Sequence, residues 1–152
     1  MVGNWVFEKG KDIFEEMQNV IDANNLKETI SLCFIGYADI NHFDSRIEYL
    51  GKYSPDTLSQ IIMENNVSIC LIPSVVCETF CITAQDCIEI GMPLIVLGIG
   101  AMKERVTDND KCHIISSISE ETIQNLSDIE MANIILYETI DFSNKLRSTI
   151  YS

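Results

Sequence analysis

Val67-Ser68-Ile69-Cys70-Leu71-Ile72-Pro73-Ser74 is a nearly unbroken apolar run closed by a proline, and Pro93-Leu94-Ile95-Val96-Leu97-Gly98 repeats the pattern. Apolar residues at consecutive positions, rather than at every second one, mark strands buried on both faces. Between the two runs, a helix is predicted from about Phe80 to Ile90, stopped by Gly91. A strand, a helix and a second buried strand make a crossover unit, and such units build parallel sheets. Working upstream, Ile13, Phe14, Met17, Val20 and Ile21 lie on one face of a helix that starts after Lys9-Gly10 and ends near Asn24-Asn25. Thr29 to Ile35 is another buried strand, closed by Gly36, and Ile47-Glu48-Tyr49-Leu50 is a short strand stopped by Gly51. Ser54-Pro55 supplies an N-cap and a first-turn proline for a helix lined by Leu58, Ile61 and Ile62. Downstream, the turn Gly98-Ile99-Gly100 leads to a brief strand at His113-Ile114-Ile115. A short helix over Glu120 to Leu126 follows, then a longer one from Asp128 to about Leu146. Strands and helices alternate throughout, so the expected fold is a doubly wound, Rossmann-like α/β domain spanning 1–152, with helices on both faces of a parallel sheet. The pattern also calls for a strand at Met1-Val2-Gly3-Asn4-Trp5, which holds only part of one, as in a chain that begins partway into a strand.

Composition narrows the class of ligand. The 152 residues are 47% hydrophobic, which argues against disorder, and this length buries roughly 70% of the unfolded surface. No apolar run approaches the roughly 18 residues that span a bilayer, and no charged-then-apolar leader opens the chain. A cytoplasmic location is expected, peripheral at the inner membrane face at most. With 23 acidic against 10 basic residues, the net charge is −13. Phosphate polymers would be repelled, so nucleic acid is not an expected partner. Of the six cysteines, Cys33 and Cys70 sit inside apolar runs as small core side chains. Cys77-x3-Cys81 lacks the second pair that a zinc finger or ribbon needs, and only His42 and His113 are available to complete a site. No metal is expected, and the thiols are expected to be reduced.

Ligands of open α/β sheets lie beyond the carboxyl ends of the strands, near helix N-termini. Three segments reach that edge: Gly3 to Gly10, Pro73 to Asp86 and Gly98 to Arg105. In the middle one, the free N–H groups of Phe80 to Thr83 would face a ligand above the sheet. Glu78 stands just outside that helix start and Asp86 lies two turns inside it. A phosphate flanked by hydroxyl-bearing groups suits the layout, while first-turn capping by Glu78 and a solvated Asp86 account for the same residues without a ligand.

The stretch Pro73-Ser74-x3-Glu78-x-Phe80-Cys81-x4-Asp86-x4-Gly91-x-Pro93-Leu94-Ile95 resembles the donor-binding signature of GT-B glycosyltransferases of family 4. The likeness extends through Gly100-Ala101-x2-Glu104-Arg105-Val106, and upstream through Val2-Gly3-Asn4-Trp5-x2-Glu8-Lys9-Gly10-x-Asp12 and Ile47-x2-Leu50-Gly51. Within the family, the Glu-Thr-Phe-Cys and Gly-Ala-x2-Glu-Arg variants look most like the branch that builds bacterial surface polysaccharides. The resemblance covers nearly the whole chain, in order and spacing.

That resemblance implies retaining sugar transfer from a nucleotide diphosphate-sugar, with no metal or other cofactor. It implies that Glu78 is the catalytic-site acid facing the donor sugar, and that backbone N–H groups of Cys81, Ile82 and Thr83 hold the diphosphate. Asp86 would bind the ribose, Lys9 would neutralise the departing diphosphate, and Lys52 would sit near the base. Gly100 and Arg105 belong to the loop that would complete the donor site. Three positions depart from the family pattern. Asn4 stands where the family has arginine, removing a bidentate cation that Arg105 or Lys103 is placed to replace. Asp86 is one methylene shorter than the family's glutamate, and Cys81 replaces a glycine. The family holds its acceptor on an amino-terminal Rossmann-like domain, to which nothing in these residues corresponds. The expected partners are therefore a nucleotide-sugar and that missing domain, with the membrane involved only through the acceptor. The isolated domain is expected to transfer no sugar. Two other classes compete: a non-catalytic glycosyltransferase-like interaction module, and an unrelated doubly wound domain of the receiver or flavodoxin type. Receivers carry acids after their first and third strands, whereas the strands here end in Gly36-Tyr37-Ala38-Asp39 and Pro73-Ser74.

Overall fold

The computed structural model describes residues 1–150. In chain order the elements are β1 (Val2–Asn4), α1 (Lys11–Ala23), β2 (Cys33–Tyr37), β3 (Glu48–Tyr49), α2 (Pro55–Glu64), β4 (Cys70–Ile72), α3 (Ile82–Glu89), β5 (Leu94–Gly98), α4 (Ala101–Val106), β6 (Cys112–Ser119) and α5 (Asp128–Ile150). All the strand pairs are parallel. One ladder runs β1-β2-β3, with Val2 opposite Ile35 and Cys33 opposite Glu48. The other runs β4-β5-β6, with Ile72 opposite Val96 and Ile95 opposite His113. β1 packs beside β4, so the spatial order is β3-β2-β1-β4-β5-β6, and the chain reverses direction across the sheet at the β1/β4 seam. This is the doubly wound α/β architecture read from the sequence.

Alternate residues of each buried strand feed opposite faces. Leu71, Ile95 and Leu97 join Phe14, Met17, Ile21, Ile135 and Leu136 under the packed pair α1 and α5. Cys70, Ile72, Leu94 and Val96 join Leu58, Ile62, Ala84, Cys87, Met102 and Val106 under α2, α3 and α4. An aromatic group of Trp5, Phe14, Phe34, Phe43 and Tyr49 fills the first face near β2.

The boundaries follow the partners that each segment finds. β4 begins only at Cys70, where its N–H reaches the Pro93 carbonyl at 2.8 Å; Val67 to Ile69 precede the ladder. β6 runs on to Ser119, past a register shift between Leu97 and Gly98. The predicted helix at 120–126 is a 3-10 turn over Ile123–Asn125. α4 is an additional helix within the segment read as a loop. The partial strand at the start is present as β1, and the amine of Met1 donates to the Cys33 carbonyl at 2.7 Å. Among the described residues, no helix is long and apolar enough to cross a membrane.

Candidate active site

The β1/β4 seam opens, at the carboxyl ends of its strands, into a cleft of about 360 Å³. Gly3 and Asn4 come from the end of β1, and Lys9 from the 3-10 turn that follows it. Glu78 to Thr83 come from the loop that follows β4 and the start of α3, and Asp86 from the body of that helix. Seven sequence-predicted residues, Asn4, Lys9, Glu78, Cys81, Ile82, Thr83 and Asp86, therefore line one cavity. Three do not line it. Lys52 reaches the rim indirectly, its ammonium 5.2 Å from the ring centre of the lining residue Tyr37. Arg105 stacks 3.9 Å from the ring centre of Phe80 and donates to Gln85 at 3.0 Å. Gly100 supports the wall from behind: a Cβ there would lie 3.1 Å from both Cys77 Cα and Glu78 N.

Gly10 makes the approach between the two sequence segments possible. Its φ of +84° ends the 3-10 turn in the left-handed region, and a Cβ there would fall 2.2 Å from the Pro73 carbonyl oxygen. The same apposition lets Val75 N–H donate to the Glu8 carbonyl at 3.1 Å. Lys9 is thereby carried over the end of β4, where its Nζ meets Glu78 Oε2 at 2.7 Å. The other carboxylate oxygen, Oε1, accepts from Ser74 Oγ at 2.6 Å. Lys9 and Glu78 are partly shielded, with side chains 30% and 15% exposed, so screening by solvent is incomplete.

α3 starts at Ile82 rather than Phe80, and its first-turn N–H groups lie beside the cleft, those of Thr83 and Ala84 directed at the Cys81 sulfur. Phe80 and Ile82 stand exposed at the mouth. Burial pushes the Cys81 thiol above its ordinary value. The Tyr53 hydroxyl donates to Thr83 Oγ1 at 3.2 Å, and burial likewise raises its phenol. Among the described residues the Asp86 carboxylate has no hydrogen-bond or ion-pair partner, and burial, with Glu89 nearby, raises its carboxyl. A partially buried, unpaired acid in a cleft is a group poised to accept hydrogen bonds from a ligand.

The cations proposed as substitutes for the missing arginine have other engagements. Lys103 lies 3.6 Å from Glu120, whose second oxygen accepts the Gly100 N–H at 2.7 Å. That backbone bond is the main cause holding the Glu120 carboxyl below its usual range. Among the described residues Lys9 is the one cation lining the cleft, against the two carboxylates Glu78 and Asp86. Among the described residues, no group of three or more histidine, cysteine or acidic side chains is arranged to hold a metal.

Sequence reasoning quoted Ser74 within the signature but gave it no role, and it missed Tyr53 and Tyr37. The Ser54-Pro55 cap was legible, and a helix start points the preceding residue, Tyr53, at the same sheet edge. Nothing comparable marked Tyr37, the last residue of β2. No protein-family model matches this chain, and no curated protein is significantly similar to it.

Proposed function

We propose that this chain is the nucleotide-sugar (donor) binding domain of a retaining glycosyltransferase acting in cell-surface polysaccharide synthesis. The observation that carries the reading is the convergence of two distant segments, Gly3 to Lys9 and Glu78 to Asp86, on one cleft at the switch point of the sheet. Glu78 faces the donor sugar, the first-turn N–H groups of α3 and Lys9 take the diphosphate, and Asp86 accepts from ribose hydroxyls. Leaving-group departure would be assisted by the Lys9 charge, and the acceptor would come from a second domain. Titration with uridine, guanosine and thymidine diphosphates and their hexose conjugates, followed by NMR at millimolar ligand, tests this. Binding of at least one nucleotide is expected, with Glu78→Ala costing the sugar-dependent part of the affinity and Asp86→Ala costing the nucleotide part. A folded sample that binds none of them refutes the reading.

A second reading, a non-catalytic interaction module, is favoured by one observation: the single cation of the cleft is already paired with Glu78. Sugar transfer by the full-length protein, abolished by Glu78→Ala, would eliminate it.

A further inference from the structure

Ser74 is one of the few buried polar side chains, 7% exposed at the end of β4, and the donor-binding reading gives it no task. Its hydroxyl has one proton to give and two acceptors within reach, the Glu8 carbonyl at 3.3 Å and Glu78 Oε1 at 2.6 Å. The shorter contact, to an ionised group, is the stronger. Glu78 is thus anchored at one oxygen and paired at the other, where Oε2 meets the Lys9 ammonium. The two partners differ in kind. Ser74 leaves the end of a strand and is packed in the core, whereas Lys9 is a long, partly exposed side chain on a turn.

We propose that Ser74 is a positioning residue that sets selectivity for the sugar of the donor. It holds Oε1 in place while Oε2 exchanges the Lys9 ammonium for a sugar hydroxyl. This rests on the donor-binding reading. In the free chain, Oε2 is occupied by Lys9. A diphosphate that captures Lys9 releases Oε2 at the moment a linked hexose arrives beside it, so the two halves of the donor bind cooperatively through one carboxylate. A carboxylate without the Ser74 anchor would follow Lys9 or turn to solvent, and the hexose would lose a defined acceptor. The nucleotide, held by Lys9 and the α3 N–H groups, would scarcely notice.

The test is titration of wild type, Ser74→Ala and Ser74→Thr with a nucleoside diphosphate and with its hexose conjugate. A small void lined by Val76, Leu97 and Ile99 lies beside Ser74 to receive the threonine methyl. Ser74→Ala is expected to keep diphosphate affinity within about twofold and to lose about tenfold for the conjugate, the worth of a hydrogen bond to a charged group. Ser74→Thr, which retains the hydroxyl, is expected to restore the preference. Diphosphate affinity doubles as the control for folding. Parallel loss for both ligands, or loss for neither, overturns the role of Ser74 while leaving the donor site standing. Failure of wild type to bind either ligand removes the donor reading and the selectivity role with it.

Discussion

Gly10 and Gly51 form a natural experiment on the joint beneath the cleft. Both are left-handed, with φ of +84° and +91°, so alanine at either position carries a similar backbone penalty. That penalty is roughly 1–2 kcal/mol, offset by about 0.4–1 kcal/mol because alanine also restricts the unfolded chain. At Gly51 nothing lies within 4 Å of the added Cβ, so Gly51→Ala should destabilise by about 0.5–1 kcal/mol. At Gly10 the Cβ would meet Pro73 O at 2.2 Å, Pro73 Cγ at 2.8 Å and Pro73 C at 2.9 Å. Backbone atoms cannot rotate away as a side chain can, so the turn must lift from the end of β4. Overpacking of this kind adds roughly 2 kcal/mol, for a total of about 3 kcal/mol. With a urea m-value of about 2 kcal/mol/M for a domain of this size, the midpoint should fall by about 1.5 M for Gly10→Ala and by about 0.5 M or less for Gly51→Ala. Circular dichroism over a urea series measures both. Midpoints that agree within about 0.25 M would refute the claim that the Gly10–Pro73 apposition, rather than φ alone, requires glycine there.

Two further outcomes concern charge. Burial raises the Asp86 carboxyl, so its ionised form costs stability above the ordinary aspartate range and costs nothing once the pH falls below that range. Asp86→Asn should therefore unfold at a higher temperature than wild type at pH 7, lose that advantage near pH 3, and bind nucleotide more weakly; a variant no more stable at pH 7 contradicts the assignment. Arg46 grips Asp44 with two nitrogens, at 3.0 and 2.6 Å, and its hydrogen bonds hold the Asp44 carboxyl below its usual range. A depressed carboxyl stabilises above its unfolded value and ceases to as the pH falls through its folded one. Wild type should exceed Arg46→Gln in melting temperature at pH 7, with the two converging below about pH 4, where unfolded aspartate takes up its proton; a constant offset across that range would count against the ion pair.

The architecture was legible because periodicity survives wherever a helix or strand is long enough to display it. α1 shows its apolar face over thirteen residues, and it starts and stops where its sequence says. α4 has six residues and buries only Met102 and Val106, too little to set a period against a loop. The ends of β4 and β6 were misjudged for a different reason, since ladder length belongs to the neighbour. Val67 to Ile69 are apolar enough to be strand, but β5 begins pairing only opposite Cys70. The site shows the same division. Glu78, Cys81, Ile82, Thr83 and Asp86, near one another in sequence, line the cleft together. The Lys9–Glu78 pair did not announce itself, because it depends on Gly10 lying against Pro73. Lys52 and Arg105 were placed by position in a motif, and their aromatic neighbours Tyr37 and Phe80 draw them off the lining.

The β1/β4 seam has one more consequence. Among the described residues, the amides of β1 and of β4 find their ladder partners on opposite sides, in β2 and in β5, and the two half-sheets meet mainly through side chains and the Val75–Glu8 bond. The amides paired within each ladder are thus protected inside their own half, while the layer beneath α1 and α5 is shared by both. Lys9 belongs to one half, and Glu78 and Ser74 to the other. Any molecule that fills the cleft spans the line where the two networks of protected amides abut, and its arrival would be written as slowed exchange in both halves at once.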